Sequence, residues 1–195
     1  TAQARWRPER PKDDEGQVLP WDQLGCDVAG GGADCAVIAP RVGEYFGELR
    51  VKPGRETPDA AASAEFIEKV MDEEGGVPFV DANGIGASTY HLLKGKRRTA
   101  VAYLGSASTA WRDRSGLLTF RNVRSAAHWA LRDALDPASG RELALPPGRN
   151  LRADLTATRY SSESRTVKLE DKDDVKKRLG RSPDEGDSVV QAWWR

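Results

Sequence analysis

The chain has 195 residues, of which 38% are apolar and 31% charged, so it can form one domain with a substantial core. Its 30 basic and 30 acidic residues cancel, which argues against a non-specific nucleic-acid coat but leaves room for a local basic groove. No apolar run reaches the roughly 18 residues that a membrane span needs, so we expect no membrane partner. Cys26 and Cys35 suit reduced thiols rather than a zinc site.

Prolines and charges dominate residues 1–20, which indicates a linker or arm ahead of one domain over residues 21–195. We expect Trp6 to pack this arm against a surface. The chain does not open with Met, so we expect it to be a piece of a longer protein.

The hydrophobic pattern divides the rest of the chain into strands and helices. Short turns between the first three strands predict an antiparallel meander, and the strand–helix–strand order that follows favours parallel strands attached to it. Thr57 and Ser182 are the predicted caps of two helices, with Glu185 completing a capping box at Ser182. The predicted elements are strands at 23–29, 34–41 and 45–51, a helix at 57–74, a strand at 77–81, a helix ending near 93, a strand at 99–104, a helix at 122–135, a hairpin of 151–160 with 166–170, and helices at 171–179 and 182–194.

Asp27 is a lone carboxylate within the first predicted strand. Period-two alternation places it on the same face as Gly25 and Ala29, two residues with almost no side chain. An ionised Asp in a buried strand is costly without compensation, and a bound cation would supply it. The alternative is an Asp that caps the turn made by the glycines that follow.

Asp81 ends the short apolar strand at 77–81. Ligand sites in α/β sheets gather at the carboxyl ends of parallel strands, which favours a functional role. The alternative is that Asp81 caps the next helix, although Asn83 is better placed for that.

Two acids lie near the start of the last predicted helix. Helical periodicity puts Asp187 at the edge of an apolar stripe, with Asp184 on the same side. The capping box and the helix dipole explain Asp184 and Glu185 without a functional role, but they do not explain Asp187. The alternative to a functional role for Asp187 is a half-exposed position on the helix. Gly186 lies within the stripe and lets the helix approach a neighbour closely.

Converging carboxylates without His or Cys make an oxygen-only site, which suits Mg²⁺ or Mn²⁺. Two such ions can activate a water and stabilise the leaving oxygen of a phosphodiester. The order of meander, helix, strand, helix, strand and late acidic helix is that of the RNase H-like fold. We therefore predict an α/β domain whose mixed central sheet has an antiparallel three-strand meander followed by parallel strands, with helices on both faces.

Three segments resemble the nuclease domain of tailed-phage terminase large subunits. They are the first hairpin, GCDVAGGGADCAVIA, the second acidic motif, FVDANGIGASTYHLL, and the end of the domain, KLEDKDDVKKRLGRSPDEGDSVVQAWW. The resemblance implies a metal-dependent endonuclease that cuts concatemeric viral double-stranded DNA during genome packaging, with two Mg²⁺ or Mn²⁺ ions. It also implies a virus-encoded or prophage protein acting in the host cytoplasm, whose full-length form works with an ATPase motor domain, the small terminase subunit and the procapsid portal.

The same resemblance assigns roles to particular residues. The first and second acids of the family fall on Asp27 and Asp81, and the third falls within residues 184–187. Helical geometry favours Asp187 as this third acid, and Asp184 stays open as the alternative or a further ligand. Asp34 matches a position in the first hairpin of the family that is often acidic. Lys172 could touch a phosphate or the attacking water, and the alternative for Lys172 is a solvated position at the start of a helix. The motor's phosphate-binding loop, G-x-x-x-x-G-K-S/T, does not occur in the chain, so we expect it to cut but not to pump.

Other residues carry weaker signals. Arginine pairs in the second half of the chain suit DNA-backbone contacts or a solvated surface, and Trp111 suits stacking on DNA or packing over its own loop. His91 and His128 read as packing or surface residues. The arginine pairs are Arg97 with Arg98, Arg112 with Arg114, and Arg121 with Arg124.

Two other functions stay open from the sequence. The run from Asp27 to Gly32 also resembles the phosphate loop of actin-like ATPases and sugar kinases, although those proteins need two such cores. A non-catalytic docking module with a decayed site, bound to a portal or a small subunit, is the other alternative.

Overall fold

A six-stranded mixed sheet forms the centre of the computed structural model, which describes residues 1–194. β1 pairs antiparallel with β2 and parallel with β5, β5 pairs parallel with β6, and both β3 and β4 pair antiparallel with β2. The meander and the parallel strands are thus both present, as predicted. The strands are β1 (Gln23–Asp27), β2 (Cys35–Val42), β3 (Tyr45–Phe46), β4 (Arg50–Pro53), β5 (Val77–Asp81) and β6 (Val101–Tyr103).

Helices cover both faces of this sheet, which confirms the predicted fold class. Leu24 and Cys26 of β1 pack with α2 and α3, whereas Ala39 of β2 and Phe46 of β3 pack with α4, α5 and α7. The helices are α1 (Ala2–Arg5), α2 (Ala60–Glu74), α3 (Ile85–Gly95), α4 (Val123–Leu135), α5 (Arg149–Ala157), α6 (Lys172–Leu179) and α7 (Asp184–Trp193). A second sheet has the strands β7 (Thr119–Phe120), β8 (Tyr160–Glu163) and β9 (Thr166–Leu169).

Two predicted strands differ from the structure. The strand expected at 45–51 is split into β3 and β4 at Gly47, where a Cβ would lie 2.5 Å from the Trp21 ring and the backbone N–H donates to the Pro40 carbonyl at 2.9 Å. The strand expected at 151–160 is wrong: its first part belongs to α5, because Leu151 and Asp154 lie one helical turn apart and are both buried. The hairpin is formed by β8 and β9 instead.

The predicted caps are also wrong. α2 is capped by Asp59, whose side chain accepts from the Ala62 N–H at 2.8 Å, and Thr57 lies before the helix. α7 begins after Pro183 without a side-chain cap, so the capping box at Ser182 does not form. Gly84, not Asn83, precedes α3.

The N-terminal arm contacts the sheet at one edge. The Trp6 indole N–H donates to the Phe46 carbonyl at 2.8 Å, and the Arg10 guanidinium lies 4.5 Å from the centre of the Trp21 ring. Cys26 and Cys35 are both free thiols. Among residues 1–194, none of the helices combines the length and hydropathy that crossing a bilayer requires.

Candidate functional site

Parallel pairing brings Asp27 and Asp81 to one edge of the sheet. The register of β1 and β5 pairs Cys26 with Val80, and the next residue of each strand is the aspartate that ends it. Since both strands run in the same direction, the two carboxylates lie at the same edge. Residues more than fifty positions apart in the chain become neighbours in this way.

The glycine at position 25 lets α7 lie directly on β1. A Cβ there would lie 2.5 Å from the backbone nitrogen of Ala192 and would overlap the carbonyl oxygen of Ser188. The N-terminal turn of α7, which carries Asp184 and Asp187, is thereby held beside the carboxyl end of β1. Gly186 is also closely packed, since a Cβ there would lie 2.7 Å from the Asp154 Cβ on α5, which agrees with its predicted close approach.

Lys172 at the start of α6 connects two of these acids. Its Nζ lies 3.3 Å from Asp27 Oδ2 and 2.7 Å from Asp187 Oδ2. Asp187 has a second partner in His128 of α4, whose Nε2 lies 3.5 Å from Asp187 Oδ1. The sequence left Lys172 open between this site and a solvated helix start, and it indicated only a packing or surface role for His128. Nothing in the sequence around His128 marks this role, because its partner Asp187 lies 59 residues further along the chain.

Burial shifts the pKa values of the clustered acids. Burial raises the pKa of Asp27 well above its usual range; Lys172 opposes this and the other acids add to it. Burial acts in the same direction on Asp187, but the hydrogen bond from His128 and the charge of Lys172 outweigh it and hold its pKa below the usual range. Burial also raises the pKa of Asp81 against two hydrogen bonds from Asn83.

Lys172 remains protonated in this environment. Burial lowers the pKa of its ammonium group, but Asp27 and Asp187 outweigh burial and bring the pKa above its ordinary value. The cluster therefore contains a fixed positive charge between two carboxylates.

Asp184 and Asp34 lie beside this centre. Asp184 Oδ2 accepts from the Cys35 backbone N–H at 2.9 Å, whereas both carboxylate oxygens of Asp34 accept from Lys176 at 2.8 Å. With Asp27 and Lys172 these two acids line a cleft of about 230 Å³. All four predicted acids are thus near one another, and Asp34 lies at the rim.

The donors fit a hard divalent cation in kind, because they are carboxylate oxygens from four aspartates. Within residues 1–194, however, no three Asp, Glu, His or Cys side chains are placed to hold one ion together. In this arrangement the Lys172 ammonium supplies the positive charge between Asp27 and Asp187. A cation binding to the acids would therefore compete with this lysine.

A second cleft, the polar pocket, opens beside the acids and has a volume of about 320 Å³. Side chains of α4, α7 and the loop after β6 surround it, and few of them are apolar. Its lining includes Asp81, Asn83, Tyr103, Ser106, Asn122, Arg124, His128, Lys172, Asp187 and Gln191. A larger cavity of about 760 Å³, lined by Trp111, Trp193 and Trp194, contains none of the four aspartates.

No known protein-family profile and no curated protein matches this chain. Solved structures do match it. The nuclease domain of the large terminase subunit gp2 of bacterial virus Sf6 is 20% identical with a TM-score of 0.65, and the match covers 98% of this chain and 92% of that one. A mutant of that domain with calcium is 21% identical with a TM-score of 0.68, and the match again covers 98% of this chain and 92% of that one. The large terminase nuclease of thermophilic phage G20c with bound magnesium is 14% identical with a TM-score of 0.62, and the match covers 95% of this chain and 84% of that one. The predicted resemblance is confirmed at the level of fold: this chain folds as the nuclease domains of phage large terminase subunits do.

Proposed function

We propose that this protein is a divalent-metal-dependent endodeoxyribonuclease that cuts concatemeric viral double-stranded DNA during genome packaging. One observation carries the proposal: Lys172 contacts both Asp27 of β1 and Asp187 of α7, at the edge of the sheet where Asp81 also ends β5. The shared fold supports it. So do the Sf6 domain with manganese and the G20c nuclease with magnesium, which favour Mg²⁺ or Mn²⁺ here.

Asp27, Asp81 and Asp187, with Asp184, would hold two ions. When bound, such ions supply Lewis-acid activation of a water and stabilisation of the departing 3′ oxygen. The chain's own contribution is positional, because α7 is fixed on β1 at Gly25 and keeps the acids of both elements at one place. His128 adds to this by holding one oxygen of Asp187.

Lys172 has an accessory role in this proposal. It neutralises Asp27 and Asp187 while no other cation is near, which lowers the cost of two buried carboxylates in contact with the same group. In the DNA complex its ammonium group can turn to a phosphate oxygen or to the attacking water. Asp34, paired with Lys176, assists from the rim.

The wider setting follows from the same proposal. Residues 1–20 would act as a linker and residues 21–195 as the nuclease, beside an ATPase motor domain in the full-length protein. The small terminase subunit and the procapsid portal would be its other partners, in the host cytoplasm during virus assembly. The chain contains no phosphate-binding loop motif of its own, in keeping with a role in cutting alone.

Cleavage of supercoiled plasmid in Mg²⁺ or Mn²⁺ tests this proposal. We expect cutting by the wild type, none in excess EDTA, and none by Asp27→Asn, Asp81→Asn or Asp187→Asn, because each removes a ligand charge. Glu65→Gln, which changes an exposed acid on α2, is the matched control and should cut normally.

Circular dichroism of each variant shows that loss of cutting is not loss of fold. Wild-type cutting by Asp27→Asn, or cutting that survives EDTA, would refute the assignment. Tight ATP binding without cleavage would instead favour the kinase-like alternative.

A further inference from the structure

The polar pocket contains buried hydrogen-bonding atoms that the protein does not use. Nη2 of Arg124 and Oε1 of Gln191 are both buried, and neither has a hydrogen-bond partner among residues 1–194. Gln191 is only 2% exposed, and both residues line the pocket beside Asp81 and Asp187. Buried polar atoms without partners are rare in native proteins, so two of them in one cleft indicate a place where a polar ligand binds.

Arg124 is held in a fixed orientation. Its Nη1 donates to the Glu170 carbonyl at 2.8 Å, and its backbone N–H donates to the Gly105 carbonyl at 2.8 Å. One arm of the guanidinium is therefore anchored at the end of β9, and the other arm, Nη2, is buried beside the pocket without a hydrogen-bond partner among residues 1–194. A planar guanidinium placed in this way is suited to a phosphate oxygen, because little side-chain freedom is lost on binding.

The charges around the pocket favour an anion at Arg124 rather than elsewhere. The neighbouring acids repel a DNA strand, and Lys172 is already shared by Asp27 and Asp187. Arg124 is the other cationic side chain lining the pocket, and its only hydrogen bond from the guanidinium, within residues 1–194, goes to a neutral carbonyl. A strand entering this cleft therefore meets, at Arg124, a guanidinium that has no ion-pair partner among residues 1–194.

We propose that Arg124 binds a backbone phosphate of the DNA strand adjacent to the scissile bond, and so positions that strand against the acids. This inference rests on the proposed nuclease function, and it assigns the polar pocket to the flanking nucleotide. Gln191 and Tyr103 form the polar wall of the subsite. Arg124 contacts substrate in this role, but it does not hold the cations.

Methylphosphonate substitution tests the contact directly. In end-labelled duplexes, one phosphate at a time is replaced by the uncharged methylphosphonate, and cutting at every bond is measured. We expect wild-type cutting to fall at one fixed offset from the modified position, in addition to the loss at the modified bond itself. In Arg124→Gln that offset effect should vanish, while KM rises about tenfold and kcat stays within about twofold.

Two further variants control the experiment. Arg132→Gln removes an exposed arginine from the same helix, outside the pocket, and should keep the wild-type pattern. Arg124→Lys keeps the positive charge but lacks the paired N–H donors of the guanidinium. This variant should therefore keep the offset effect, with a KM between those of the wild type and Arg124→Gln. Should Arg124→Gln not fold, the KM of Arg124→Lys decides the matter, and a KM equal to that of the wild type overturns the proposal. A wild type without any offset effect, or an effect unchanged in Arg124→Gln, overturns the proposal.

A binding measurement separates this inference from the nuclease proposal. If the wild type cuts no duplex, the nuclease function fails, and fluorescence anisotropy in EDTA then tests Arg124 alone. Loss of one phosphate contact should reduce the slope of log affinity against log salt by about one. An Arg124→Gln slope equal to that of Arg132→Gln would refute the contact.

Discussion

Asp27 and Asp187 contact the same ammonium group, yet their pKa values move in opposite directions. Burial dominates at Asp27 and raises its pKa. At Asp187 the additional hydrogen bond from His128, together with Lys172, outweighs burial and lowers the pKa. The hydrogen bond from His128 to Asp187 therefore decides which of the two carboxylates is destabilised when ionised.

This contrast predicts opposite stability changes for two matched substitutions in EDTA. Asp27 has a folded pKa above its unfolded value of about 4, so its ionisation costs stability as the pH rises through the folded pKa. Asp27→Asn should therefore stabilise the protein near pH 7 by about 1 kcal/mol and have little effect at pH 4. Asp187 has a folded pKa below that value and stabilises the protein above about pH 4. Asp187→Asn should cost about 1.5–3 kcal/mol near pH 7.

Urea unfolding at several pH values measures both differences. The stabilisation by Asp187 should disappear as the pH falls below about 4 through its folded pKa, whereas the penalty at Asp27 should disappear as the pH falls from its raised folded pKa towards about 4. Substitutions that shift stability in the same direction at pH 7 would contradict the roles assigned to His128 and Lys172.

At the level of elements, the contact between α7 and β1 sets the geometry of the cluster. Gly25→Ala would place a methyl group against the backbone of Ser188 and Ala192, which cannot turn aside as a side chain can. We expect a loss of about 1–3 kcal/mol or more and loss of DNA cutting, since α7 must move and carry Asp187 away from Asp27. Thermal unfolding and plasmid cleavage measure the two effects.

Gly95→Ala is the matched control for this prediction. Gly95 ends α3, and a Cβ there meets nothing within 4 Å. The substitution should leave cutting unchanged and stabilise the protein by up to about 1 kcal/mol. Equal effects at Gly25 and Gly95 would show that the helix–strand contact does not position the site.

Features set by local periodicity could be predicted from the sequence, and features set by distant packing could not. Alternation in β1 gave the face of Asp27, and helical spacing in α7 gave the side of Asp184 and Asp187; their roles as metal ligands stay predictions. His128 carries no local mark of function, because its partner Asp187 lies 59 residues further along the chain. Thr57 failed as a cap because the backbone enters the helix only at Asp59, in an extended conformation.

Over the whole molecule, the acid cluster joins the first strand to the last helix. Asp27 belongs to β1, Asp81 to β5, and Asp184 and Asp187 to α7, with Lys172 of α6 between them. In the unfolded chain these residues are far apart, so a cation held by several of them binds the folded state alone. Such binding must raise the stability of the entire fold, not only that of the local elements.

Manganese should therefore raise the unfolding midpoint. At an ion concentration of 100 Kd the gain is about 2.7 kcal/mol, which corresponds to roughly 5–10 °C for a chain of this size. Asp27→Asn and Asp81→Asn should lose most of this shift, and Glu65→Gln should keep it. Because Lys172 competes for the same carboxylates, Lys172→Met should need less Mn²⁺ to reach the same shift. A shift retained by both aspartate variants would mean that neither Asp27 nor Asp81 holds the ion.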